Sequence, residues 1–168
     1  MNHRFFAASL LVAVACSGGN RDERAGATAV SDSSFKAMDH RHGAVVGADP
    51  SALAHRFVSL PDGGDIVLDR KAGDTTTVKA IRTHLEGIAQ AFSKGDFSTP
   101  AFVHEMSADG ADVMAKKAGA ITYTVVDSPE GAILRIRTTD AEALDAIHAF
   151  ISFQTREHLG KDKADNMS

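Results

Sequence analysis

The chain carries the same layout twice, and this duplication restricts its possible folds more than any other feature. Setting residues 56–95 against 120–160, with an offset of about 66 positions, aligns two copies of strand, turn, strand, helix. In the first copy, His55–Leu60 and Asp65–Arg70 flank Pro61-Asp62-Gly63-Gly64. In the second, Ile121–Asp127 and Ala132–Thr138 flank Ser128-Pro129-Glu130-Gly131. Short glycine-bearing loops between alternating runs predict β-hairpins. Each hairpin leads into a capped amphipathic helix, opened by Asp74-Thr75-Thr76 or by Thr139-Asp140, with Glu142 in the first turn of the second. Val78, Ile81, Leu85, Ile88 and Phe92 recur at helical spacing in one, and Leu144, Ile147 and Ile151 in the other. One ββα unit cannot cover its own apolar surface. The two copies therefore predict an α+β domain, a four-stranded, mainly antiparallel sheet with two helices on one face.

Around this unit the chain divides into three parts. Residues 1–15 have the layout of a signal peptide: a charged start with Arg4, an apolar run Phe5 to Val14, then small residues before Cys16, the only cysteine. The run is far below the roughly 20 residues that span a bilayer. Ala13-Val14-Ala15-Cys16 resembles a lipobox, with Ala13 where Leu, Val or Ile usually stands. It predicts lipidation of Cys16 by acyl chains such as palmitate; the alternative is an ordinary secretory cut near Ala15. Ser17 in place of Asp suits an outer-membrane destination. Residues 16–37 hold almost no large apolar side chain before Phe35 and read as a flexible tether, leaving 38–168 as the single domain. Removal of 1–15 leaves 17 basic and 22 acidic side chains, a balance that disfavours nucleic acid as a partner. The expected partners are a membrane, through the lipid anchor, and an envelope protein.

Between the repeats, Phe97-Ser98-Thr99-Pro100 predicts a break in regular structure, and Asp109–Lys117 a short helix ended by Gly119. The two halves disagree at one place. Continuing the stripe of the second helix leads to Gln154 and His158, where the first helix has Ile88 and Phe92. A buried polar group without a partner costs about 1–3 kcal/mol. The exchange therefore marks either a polar mouth or a helix end that overhangs the sheet, where a histidine also suits the dipole.

Histidine is the one residue type here with the chemistry and number to build a site. His55, His84, His104, His148 and His158 lie in the domain and are the candidate metal ligands, for copper or zinc. Glu105, Met106 and Met114 are possible co-ligands. His40 and His42 carry less weight, because the segment around them reads as irregular. His148 and His158 are ten positions apart and do not stack as an i, i+4 pair would. The chain has no His-Glu-x-x-His, no Gly-x-Ser-x-Gly and no phosphate loop. A non-enzymatic role is expected, and a metal-dependent hydrolase would need an open metal position beside a cleft.

Gly63-Gly64, Ala80-Ile81-Arg82-Thr83-His84-Leu85, Gly95-Asp96-Phe97, Val103-His104, Ile121-Thr122-Tyr123 and Ala146-Ile147-His148-Ala149-Phe150, with Phe153-Gln154 and His158, together form a pattern. It resembles a family of small exported bacterial proteins of unknown function, over about residues 45 to 160. His55, His84, His104, His148 and His158 match histidines of that family's pattern, which draws attention to a shared site without naming a ligand. Some relatives carry an aspartate carbamoyltransferase label. The present chain is too short for that enzyme and lacks its Ser-x-Arg-Thr-Arg phosphate motif.

Together these features predict a cell-envelope lipoprotein acting as a binding or accessory module. The alternative is a periplasmic transition-metal-binding protein using clustered histidines.

Overall fold

A computed structural model describes residues 34, 36–72 and 75–165, without the side chains of 159–165. The segments expected to be signal peptide, lipidated Cys16 and most of the tether lie outside the described residues.

The two hairpins form where the alternation places them. Strands β1 (Leu53–Leu60) and β2 (Gly63–Arg70) pair across Pro61-Asp62, and β3 (Ile121–Ser128) and β4 (Gly131–Thr138) across Pro129-Glu130. β2 pairs antiparallel with β4, which gives one sheet of order β1-β2-β4-β3. The strands correspond with an offset of 68 residues, Leu53 to Ile121. The main helices, α2 (Thr75–Ser93) and α5 (Ala141–Asp165), begin 66 apart. Gly63 and Gly131 are equivalent, and neither tolerates a side chain. An added Cβ would stand 1.9 Å from the Ile136 carbonyl oxygen at the first and 2.0 Å from that of Leu68 at the second. The central strands can approach only because both positions are glycine.

Each helix covers the other repeat's hairpin. α2 follows β2 but packs mainly on β3 and β4, whereas α5 follows β4 and packs mainly on β1 and β2. The copies are thereby interlocked around one core. Leu68, Ile81, Leu134, Ile136, Ile147 and Phe150 are among its fully buried side chains. Burial of such residues is worth about 1.5–3 kcal/mol each and is the main favourable contribution.

Among the described residues three shorter α-helices accompany these elements. Residues 36–46 form α1, whose Met38 and Val46 are buried. Gly47, in the left-handed region at φ 75°, ends it. The helix thus includes the last residues read as tether and the stretch around His40 and His42 read as irregular. α3 (Ser98–His104) forms across Pro100, where a break was expected. Pro100 is the third helical residue, and first-turn N–H groups have no intrahelical acceptor, so the proline removes nothing. Glu105, at φ 56°, stops α3 at His104. α4 (Ala111–Lys116) lies within the predicted short helix. Arg41 on α1 donates from Nε to the Val103 carbonyl at 2.9 Å and pairs with Glu105 at 3.3 Å, which fastens α1 to the end of α3. Among the described residues no helix is long and apolar enough to cross a membrane.

Candidate functional site

Four of the five histidines singled out from the sequence meet at one place. His55 points inward from edge strand β1, His84 stands on α2, His104 is the last residue of α3, and His158 extends from α5. With His42 of α1 they line one pocket of about 60 Å3. The ring centroids of His42 and His55 are 4.3 Å apart, those of His55 and His158 4.9 Å, and those of His104 and His158 5.4 Å. His42 also lies 5.8 Å from His158 and 6.2 Å from His84. Apart from Gln154 and Thr99, the remaining wall is apolar and includes Phe57, Leu85, Ile88, Phe92 and Phe150.

Local hydrogen bonds set two of these rings. Gln154 is buried, and its Oε1 lies 3.0 Å from Nε2 of His104. A carbonyl oxygen only accepts, so in this amide orientation Nε2 carries the hydrogen and Nδ1 holds a lone pair. That Nδ1 is buried and has no hydrogen-bond partner. Burial pushes the His104 pKa below the ordinary imidazole range and outweighs the opposing effects of Gln154 and Glu157; Arg41 lowers it further. His84 shifts the same way, chiefly through burial, against a hydrogen bond to the Val45 backbone that favours its charged form. Both rings are thus disposed to be neutral near pH 7, the form that coordinates metals.

His148 is not part of this group. Its Nε2 donates to the Leu60 carbonyl at 2.9 Å, tying the middle of α5 to the end of β1. The other possible co-ligands also lie elsewhere. Met114 is fully buried in the core, Met106 is about half exposed, and Glu105 is held by Arg41. His40 faces solvent. His42 belongs to the site because α1 carries it there; Met38, Val45 and Val46 fall at helical spacing around it and are the sequence signal for that helix.

The repeat isolates what is particular to the site. By the strand and helix offsets, His55 corresponds to Tyr123, His84 to Phe150, His158 to Phe92 and Gln154 to Ile88. In the related half those aromatic side chains pack together, with the Phe92 ring 5.9 Å from Tyr123 and 5.8 Å from Phe150. Phenyl and phenol rings fill one half of the pseudo-symmetric domain, with the Tyr123 hydroxyl buried among them, and imidazoles occupy the equivalent places in the other.

The imidazoles pack edge to face or stacked. Among the described residues no three His, Cys, Asp or Glu side chains stand ready to hold a metal ion. The rings that touch could bring nitrogens onto one centre only by rotating about their side-chain torsions. The cavity has room for an ion with one or two small ligands, since a water needs about 10–15 Å3 on this scale. It falls well short of the roughly 300–1,000 Å3 pockets that take organic molecules. No family model, curated protein or solved structure matches the chain.

Proposed function

We propose that this protein is a non-enzymatic binding module of the bacterial cell envelope, anchored through a lipid on Cys16, whose histidine pocket takes a transition-metal ion, copper or zinc. One observation carries the reading: five imidazoles from five separate elements line a single small pocket. Three further features support it. The lone pair on His104 Nδ1 is buried without a partner, Gln154 fixes the tautomer that exposes it, and burial keeps His84 and His104 neutral. A hydrogen-bonded neighbour that orients a ligating imidazole is a regular feature of metal sites. The module would work on the periplasmic face of the outer membrane, beside an envelope protein.

The deciding experiment is titration of the full chain with zinc and with copper, followed by calorimetry and elemental analysis. One equivalent bound, and lost in His55→Ala and His158→Ala, is expected. Failure to bind either metal stoichiometrically would overturn the metal assignment.

A further inference from the structure

The histidine pocket is short of negative charge. Its lining includes no aspartate, glutamate or cysteine. A divalent ion held there by neutral imidazoles alone would keep its full charge against apolar walls, where burying uncompensated charge is expensive. The compensation must come from outside the inner cavity.

A second cavity, of about 390 Å3, adjoins it and shares His42, His55, Phe57 and His158. This vestibule lies along the free edge of β1, between α1 and the C-terminal part of α5. Arg56 and Lys71 line it, and neither has an ion pair or a side-chain hydrogen bond among the described residues. Asp39 is the one acid on its wall and is itself engaged. Arg41 and Glu157, which line neither cavity, act on His104 with opposite sign. Basic groups therefore exceed acidic ones at this mouth.

Resting on the metal reading above, we propose that the site binds its metal as a ternary complex with a small carboxylate. The carboxylate occupies the vestibule, supplies one oxygen ligand at the wall of His42, His55 and His158 that the two cavities share, and is held by Arg56 and Lys71. Its single negative charge halves the charge of a divalent ion. The vestibule has the volume for such a molecule, whereas the inner cavity is sized for the ion and its donor atoms.

The test uses the full chain with one equivalent of copper(II) in a non-coordinating buffer with perchlorate as the only added anion. Azide serves as the spectroscopic probe and acetate as its competitor. An azide-to-copper charge-transfer band that acetate abolishes is expected. Arg56→Ala with Lys71→Ala should weaken azide and acetate binding about tenfold or more, as loss of charge-assisted contacts does, while copper uptake in perchlorate is unchanged. Copper uptake without an azide band overturns the ternary complex and leaves the metal reading intact. A band with full anion affinity in the double variant overturns the vestibule. No copper or zinc uptake in any buffer overturns both this proposal and the function on which it rests.

Discussion

His148 and His158 lie on the same helix and cannot be ranked by residue type, yet the structure gives them different work, so replacing each by alanine should separate stability from binding. His148 Nε2 donates one hydrogen bond to the Leu60 carbonyl at 2.9 Å. A bond of this kind contributes about 1 kcal/mol net. For a domain of this size that lowers the Tm by about 2–8 °C. His158 instead packs its ring against His42, His55 and His104 at the pocket. Zinc at about a hundred times its Kd should stabilise the wild-type domain by about 2.7 kcal/mol, a rise in Tm of about 5–20 °C. Scanning calorimetry with and without zinc reads both effects. His148→Ala is expected to melt earlier but keep the full zinc-induced rise, whereas His158→Ala loses most of that rise. A zinc response abolished equally by the two substitutions would make His148 a ligand and refute this assignment of roles.

Two further outcomes follow from groups already described. His84 and His104 have folded-state pKa values below that of an unfolded histidine, mainly because of burial, so the unfolded chain takes up protons first as pH falls. Their contribution is complete above about pH 6.5 and is lost as pH drops through the depressed folded values. Thermal unfolding of the metal-free protein from pH 8 to pH 5 should show Tm falling in the lower part of that range, and replacing both rings by leucine should flatten the profile. For Cys16→Ala, the expected result in bacteria is a protein that fractionates as soluble and lacks the mass of attached acyl chains. Membrane association with unchanged mass would remove the anchor from the proposal.

Most of the fold was legible because both hairpins and both long helices declare themselves twice. Pro61-Asp62-Gly63 and Pro129-Glu130-Gly131 mark equivalent turns, and Ile81 with Leu85 repeats as Ile147 with Ile151. What one sequence could not reveal was the interlocking, with α5 over the first hairpin and α2 over the second. Periodicity says which face of a helix is buried, not which strands bury it. That crossing is what carries His158 to His55. The exchange of Ile88 and Phe92 for Gln154 and His158 pointed to the right end of α5, but the partner of Gln154, His104, came from outside the repeat. Pro100 hid α3 and irregular composition hid α1, which are the two elements that bring His104 and His42 into place.

The duplication also supplies an internal control for why the imidazoles are there. At the positions equivalent to His55, His84 and His158 the chain uses Tyr123, Phe150 and Phe92, and that half of the domain packs on the same sheet without a single buried imidazole among those places. The architecture therefore has no need of histidine at these sites. Placing a half-buried imidazole where a phenyl ring could stand gives up part of the hydration of its nitrogens, at up to about 1–3 kcal/mol for a nitrogen left without a partner. A protein under selection for stability alone would fill both halves with aromatic carbon; retaining costly polar groups at a binding site is the usual exchange of stability for function. Changing His55→Phe, His84→Phe and His158→Phe together restores the aromatic pattern. This variant should unfold at a higher denaturant midpoint than the metal-free wild type, by about 1 kcal/mol or more, and should no longer respond to zinc or copper. A triple variant less stable than the metal-free wild type would mean that the imidazoles are structural members of the core, held by hydrogen bonds that phenyl rings cannot make.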